Sequence, residues 1–222
     1  MKELTLLIPA KKESESLPLV LNELKNYECK KLIVLDEDDI STINSIKNFD
    51  CEILYQKNKG YGSALIEGIN KIETKYTCIF NADGSFDPKY LKQMLDECKL
   101  NLDFIFSSRY SKGGGTEDDT FLTFIGNKIF TAIGNIFFKL KIDDILYTFV
   151  MGKSQSFKSL NLKFFDFRFC VELPILAKRQ SMKYINMGSF ERKRLKGEKK
   201  VNEFIDGFLI LIGMLNLFFK KN

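Results

Sequence analysis

The residues best suited to do chemistry stand close together in the run Phe80-Asn81-Ala82-Asp83-Gly84-Ser85-Phe86-Asp87-Pro88. A strand-like segment, Tyr76 to Phe80, ends there in carboxylate, glycine and proline. Open α/β sheets bind ligands beyond the carboxyl ends of their strands. A carboxylate in such a loop, with amide and hydroxyl oxygens beside it, can hold a hard divalent cation against a diphosphate. Turns favour Asn, Asp, Gly and Pro for conformational reasons alone, so one loop of this kind establishes little. Three other strand ends, however, carry polar clusters: Pro9-Ala10-Lys11-Lys12-Glu13, Asp36-Glu37-Asp38-Asp39 and Asn58-Lys59-Gly60-Tyr61-Gly62. Four clusters in consecutive βα units predict one shared cleft. Gly60 and Gly62 allow close backbone approach and place amides at a helix start, which suits an anion. Neither the six-residue dinucleotide fingerprint nor a Walker G-K-[ST] is present.

The elements that must position these loops follow from periodicity. Leu4 to Pro9 predicts a buried strand, and Glu15 to Tyr27 a helix through Leu17, Val20, Leu21 and Leu24. Lys31 to Leu35, Glu52 to Tyr55 and Tyr76 to Phe80 predict three further strands, with helices over Ser41 to Phe49 and Gly60 to Ile72 between them. Lys89 to Leu100 reads as a helix, Phe104 to Ser107 as a fifth strand, and Ser111 to Thr120 as a loop centred on three glycines. Thr123 to Leu140 is an apolar, Phe-rich helix. Phe149 to Gly152 and Tyr184 to Met187 predict strands, and Phe167 to Gln180 a helix that Pro174 complicates. Strands alternating with helices at this spacing argue for an α/β fold with a mostly parallel, doubly wound sheet.

Bulk properties narrow the function. A chain of 222 residues, 45% of them apolar, can build one substantial core. The expected organisation is a catalytic domain over 1–200 and an apolar C-terminal helix over 201–222. A net charge of +5 suits phosphate ligands or an anionic membrane surface and is too small for a nucleic-acid-binding protein. The absence of histidine removes every His-based triad and the commonest zinc ligand. Five scattered cysteines without a C-x-x-C pair read as free thiols in a reducing cytoplasm. The start, Met1-Lys2-Glu3-Leu4, is charged too soon for a secretory signal. The longest uncharged run, Gly207 to Phe219, falls short of the ~20 residues of a membrane span. Its neighbourhood repeats apolar residues at helical spacing (Phe204, Ile205, Phe208, Leu211, Ile212, Leu215, Phe219), which predicts a helix packed on the core, on a second copy of the chain, or on a membrane surface.

Two cationic features remain. Arg109, in Ser107-Ser108-Arg109-Tyr110, follows a strand and can clamp a phosphate bidentately. Glu191 to Lys200 holds six Lys or Arg against two Glu. Charge runs are ordinarily solvated faces, but cations beside an apolar helix can also meet lipid phosphates.

Taken together, the motifs resemble the family-two glycosyltransferases of GT-A fold, and within them the branch of dolichyl-phosphate mannose synthase and related polyprenyl-phosphate sugar transferases. The resemblance is carried by I-P-A-K-K-E at Ile8 to Glu13, N-K-G-Y-G-S-A-L at Asn58 to Leu65, N-A-D-G-S-F-D-P at Asn81 to Pro88 and S-S-R-Y-S-K-G-G at Ser107 to Gly114. F-R-F-C-V-E-L at Phe167 to Leu173 and E-R-K-R-L-K-G-E-K-K at Glu191 to Lys200 extend it. Each motif is moderately specific, and their order and spacing make the combination strong.

The resemblance implies a role for each matching residue. Pro9, Ala10 and Glu13 would line the nucleotide pocket, with Asp36 and Asp38 near base or ribose, Gly62 in the nucleotide-binding turn, and Asn81 and Ala82 beside it. Asp83 would bind Mg²⁺ or Mn²⁺, helped by Asn81 and Ser85. Arg109, Arg194 and Lys200 would contact donor or acceptor phosphates. The chain departs from the pattern where Asn81 replaces the first Asp of the acidic motif, where Asp39-Ile40 replaces Gly-Ser, and where Thr120 to Ile125 lacks the Arg that relatives place near the acceptor phosphate. The implied reaction is inverting transfer from a nucleoside-diphosphate sugar to polyprenyl phosphate, by a cytoplasmic protein peripheral to the membrane. A phosphate acceptor needs no strong base; a soluble or glycan hydroxyl acceptor would, with Asp144 and Glu172 as candidates by position. The rival readings are a binding module without turnover, motivated by Asn81, and a sugar nucleotidyltransferase, disfavoured because no Gly-rich loop follows the first strand.

Overall fold

Alternation along the first strand explains the layers around it. The computed structural model describes residues 1–196 and 203–220. In β1 (Leu4–Pro9), Leu4, Leu6 and Ile8 face one core layer while Leu7 faces the other, as a strand buried on both faces requires. The first layer packs under α1 (Leu17–Glu23), and β2 (Lys30–Leu35) follows. Then come α2 (Ile40–Ser45), β3 (Glu52–Tyr55), α3 (Tyr61–Lys71) and β4 (Tyr76–Ile79). These four strands pair in parallel, in the order β3-β2-β1-β4. Their carboxyl ends therefore point the same way, and so do the loops that follow them.

The second half continues with α4 (Leu91–Lys99), β5 (Phe104–Ser108), β6 (Gly115–Thr116), α5 (Phe121–Phe138), β7 (Val150–Lys153) and α6 (Ser154–Ser159). It ends with α7 (Phe169–Arg179), β8 (Tyr184–Gly188), β9 (Phe190–Glu191) and α8 (Glu203–Phe219). The sheet has seven strands ordered β3-β2-β1-β4-β7-β5-β8. β7 alone runs antiparallel, inserted between β4 and β5, so the sheet is mostly parallel. β6 and β9 form a separate two-stranded sheet inside the stretches read as loops from sequence. Pro174 lies within α7 without ending it, and α6 has no counterpart in the sequence reading.

Candidate active site

Each loop of the cleft is held by a few local bonds. After β1, the Ala10 amide donates to Val34 O, and Glu13, almost fully buried, accepts from the Ser16 hydroxyl. After β2, Asp36 accepts from Gln56 Nε2 at 2.9 Å, which links the tips of β2 and β3. Asp39 caps α2 by accepting from the Thr42 amide at 3.3 Å and also holds the Lys12 amide at 2.6 Å. After β4, Asp83 Oδ1 accepts from the Ser85 amide at 3.0 Å and the Ser85 hydroxyl at 2.7 Å, while Asn81 Nδ2 donates to Ser85 Oγ at 3.2 Å. Phe86 anchors this loop from below, stacked on Phe149 at 4.6 Å and edge-on to Phe80 at 5.9 Å. The segment after β9 closes over it: the Leu195 amide donates to Asp83 O and the Arg192 amide to Ser85 O.

These tips line a cleft of about 630 Å³. Ten of the thirteen residues singled out from sequence lie in its wall: Pro9, Ala10, Glu13, Asp36, Asn81, Ala82, Asp83, Ser85, Arg109 and Arg194. Asp38 is exposed and outside it. Gly62 is buried and outside it as well, for a packing reason. A Cβ there would lie 2.1 Å from Phe164 O and 2.8 Å from Asp166 O, and the neighbouring Ser63 amide already donates to Phe165 O. The start of α3 thus receives the chain's own carbonyl. Lys200 lies outside the described residues.

The other wall is built around Arg109. Its guanidinium meets Asp144 bidentately (Nε–Oδ2 2.8 Å, Nη2–Oδ1 2.9 Å), and Nη1 reaches Glu191 Oε2 at 3.3 Å and Asp119 Oδ1 at 3.5 Å. Asn127 donates to Asp144, Tyr110 to Asp119, and the Tyr147 ring lies 4.9 Å from the guanidinium carbon. Arg194 is paired with Asp118 at 2.7 Å and stands 4.0 Å from Asp83 Oδ2. Arg109 is therefore engaged on all its nitrogens by carboxylates of the chain. Burial holds the Glu191 carboxyl above its ordinary range, with Arg109 opposing.

The two carboxylates considered from sequence as bases have other work. Asp144 has no exposed side-chain surface and serves Arg109. Glu172 lies outside the cleft and holds the Lys163 and Phe164 amides at 2.8–3.0 Å. Sequence reasoning missed Asp118, Asp119, Asn127, Tyr147 and Gln56 as wall residues. The Glu117-Asp118-Asp119 run, one residue after three glycines, was the one available signal.

The donor set suits a divalent cation only in company. Among the described residues no three His, Cys, Asp or Glu side chains converge as a protein-only metal site. Asp83 offers one carboxylate, with Asn81 and Ser85 beside it. Mg²⁺ is commonly held by one or two carboxylates plus substrate phosphates, so these residues fit a cation that arrives with its diphosphate.

The model of the glycosyl transferase family 2 matches residues 5–161. The chain belongs to this family. The match covers β1 to β7 and hence the strand tips that line the cleft. A dolichol-phosphate mannosyltransferase of Pyrococcus furiosus is 24% identical over 217 residues, 90% of this chain and 59% of that protein. An uncharacterised glycosyltransferase of Mycobacterium bovis is 27% identical over 111 residues, 50% of each chain. The chain thus spans between half and three fifths of the length of these relatives. Among solved structures, glucosyl-3-phosphoglycerate synthase from Mycobacterium tuberculosis, in complex with Mn²⁺, UDP and phosphoglyceric acid, superposes with a TM-score of 0.72 at 10% identity, over 99% of this chain and 79% of that one. That likeness shows the fold: this family-2 glycosyltransferase has the GT-A architecture.

Proposed function

We propose that the chain transfers a sugar, with inversion, from a nucleoside-diphosphate sugar to a lipid-borne acceptor at a membrane surface. The observation that carries this reading is a single cleft with two unlike walls. One wall presents the strand-tip residues Glu13, Asp36 and Asp83; the other is formed by α5 and α8, whose outer faces expose Phe121, Ile129, Ile136, Phe204, Phe208 and Phe219. Contiguous exposed apolar surface of this kind marks an interaction face.

On the donor side, Asp36 and Gln56 would meet the base or ribose, and Asp83, Asn81 and Ser85 would stand at the diphosphate. A bound Mg²⁺ or Mn²⁺ would supply positive charge to the leaving diphosphate. Arg194, 4.0 Å from Asp83, would add a fixed cation beside it. On the acceptor side, Asp144 and Asn127 would hold Arg109 in one orientation. Polyprenyl phosphate is the acceptor to which the sequence resemblance points, and the Pyrococcus relative supports it. α5, long and apolar enough to cross a membrane by length and composition, is only 17% buried; with α8 it would lie on the cytoplasmic surface of the bilayer. Use of the same face between two copies of the chain is the competing reading.

Calorimetry with UDP and GDP, with and without Mn²⁺, and flotation with phosphatidylglycerol vesicles test both halves. The expected results are Mn²⁺-dependent nucleotide binding and flotation. Failure to bind either nucleotide would refute the transfer reading; a stable dimer that does not float would refute the membrane reading.

A further inference from the structure

We propose that the chain has a second anion site at the opposite end of the sheet from the cleft, where Lys31 binds the phosphate group of a small phosphate ester. The site shares no residue with the cleft and stands apart from the transfer reading.

A groove of about 640 Å³ runs along the amino ends of β1, β2 and β3. Its sides are the segments that follow α1 and α3, with Tyr27 on one and Ile72 on the other. Small-molecule sites commonly have volumes of about 300–1,000 Å³. Every groove residue lies among the described residues, at the far end of these strands from the tips that carry Glu13, Asp36 and Gln56. The six residues of β1 separate the two ends by roughly 20 Å. Parallel pairing holds the strand starts in register, with Thr5 opposite Lys30 and Leu32 opposite Glu52. The Thr5 and Thr74 hydroxyls bond at 2.7 Å along the floor.

The charges divide by depth. The rim carries four exposed lysines, Lys30 and Lys71 among them, against four exposed carboxylates. These charges are equal in number and screened by solvent, so the rim favours neither sign strongly. The floor is not balanced. In β2, Ile33 and Leu35 face the layer under α1 while Leu32 and Val34 face the other. Alternation therefore turns Lys31 to the α1 side, and the residue is only 8% exposed. Its ammonium has three N–H donors. One reaches Tyr27 O at 3.5 Å, long for such a bond. None of the ion pairs among the described residues involves Lys31. Lysines this buried are almost always paired, because an uncompensated buried charge is expensive.

Two thiols locate the ammonium. Cys29 and Cys51 both line the groove. Burial pushes both thiols up, Asp50 adds to the rise at Cys51, and the Lys31 ammonium opposes it in each. Lys31 thus stands among groove residues, where an entering anion would meet it. Lysine binds phosphate as a point charge, and the flexible stems of Lys30 and Lys71 can turn inward on to the same dianion. A carboxylate offers one charge and fewer oxygens to share. Tyr27, Leu32 and Ile72 give the organic part of an ester an apolar surface.

Cys51 supplies a local readout, since it is the one cysteine of the five that is not buried. Its labelling by N-ethylmaleimide is followed by peptide mass spectrometry in wild type, Lys31→Met and Lys31→Arg. The probes are inorganic phosphate, glycerol phosphate and phosphatidic-acid vesicles, with chloride at the same ionic strength as control. A bound anion covers Cys51 and disfavours its thiolate, so labelling slows. The expected result is several-fold, saturable protection by phosphate in wild type and Lys31→Arg, and none in Lys31→Met. Lys31→Met should label more slowly even without phosphate, so each variant is judged by its own ratio with and without the probe. Protection by the soluble probes identifies a free phosphate ester; protection by vesicles alone identifies a lipid headgroup at the same site. Absence of protection by all three probes, equal protection by chloride, or undiminished protection in Lys31→Met overturns the proposal. If Lys31→Met does not fold, the lysine ¹³Cε resonances of the wild type decide: the Lys31 signal must move with phosphate, and a fixed signal refutes the site. None of these outcomes depends on nucleotide binding in the cleft.

Discussion

Asp83 and Arg109 face each other across the same cleft and are built in opposite ways. Asp83 is bonded to Ser85, two residues away, through Oδ1, and among the described residues Oδ2 accepts no hydrogen bond, with Arg194 at 4.0 Å. Arg109 is bonded to Asp144, 35 residues away, and to Glu191, 82 residues away, and has no nitrogen to spare. The strand-tip wall is a row of short loops held by hydrogen bonds within each loop and between neighbouring tips, such as Asp36 to Gln56 and Asp39 to the Lys12 amide. The opposite wall is a buried ionic cluster whose partners come from the loops after β5 and β6, from β9, from α5 and from the segment before β7. The first arrangement can gain a ligand at little cost to the fold. The second must keep its own charges paired, because an unpaired charge in a buried site is expensive.

The largest effect should come from breaking the cluster. Asp144→Ala leaves the Arg109 guanidinium, 10% exposed, without its bidentate partner. Removing one partner of a buried pair typically costs about 3–5 kcal/mol, and urea unfolding should show a loss of that size. The matching change across the cleft, Asp83→Ala, should cost stability no more than about 1 kcal/mol, the worth of an ordinary hydrogen bond. Its effect should appear with ligand instead. At a hundred times its Kd, a nucleotide stabilises the wild type by about 2.7 kcal/mol, and the Mn²⁺-dependent part of this shift should vanish in Asp83→Ala. If both variants unfold alike and respond alike to nucleotide, the contrast between the walls is false.

Gly62 sharpens the comparison, because it belongs by sequence to the donor side and by structure to packing. Gly62→Ala would drive a Cβ into the backbone of Phe164 to Asp166. A loss of about 1–3 kcal/mol is expected, as for other overpacked sites. Nucleotide affinity per folded molecule should stay within a few-fold. Calorimetry alongside thermal unfolding separates the two.

How far the sequence could be read follows the same division. The βα units of the donor wall were legible because each carries its own period, its own turn residues and its own polar tip. Asp36, Asp83 and Ser85 reach the cleft by staying next to the strands that precede them. β7 pairs antiparallel with β4 and β5, which lie dozens of residues upstream, and nothing within Val150–Lys153 encodes that direction. β6 and β9 are two residues each, too short to show alternation, and they form because Gly115 and Phe190 meet across the fold. Arg109 was recognisable as a cation past a strand end, but its partners were not. Asp144 stood out only as a candidate base by position, Glu191 only as one end of a charge run and Asp119 not at all, and only the folded chain shows them converging on Arg109. Asn127 and Tyr147 sit in apolar surroundings with no motif to mark them.

The smallest change in stability should come from the outer faces of α5 and α8, and there the argument turns on solvent. Phe121 is 80% exposed and Phe208 64%, so replacing either by Ser removes little packing from the folded chain. Surface substitutions of this kind usually stay within about 0.5 kcal/mol, and unfolding should register no more. If the face lies against lipid, each ring instead leaves an apolar environment when it is removed. Burying a Phe is worth roughly 1.5–3 kcal/mol, so vesicle partitioning should fall about tenfold or more for each substitution. The two substitutions lie on different helices, and their effects on partitioning should multiply. High salt should weaken the cationic contribution to binding while leaving the Phe effect in place, since only charge is screened. A double variant that floats like the wild type would mean that these faces meet something other than a bilayer.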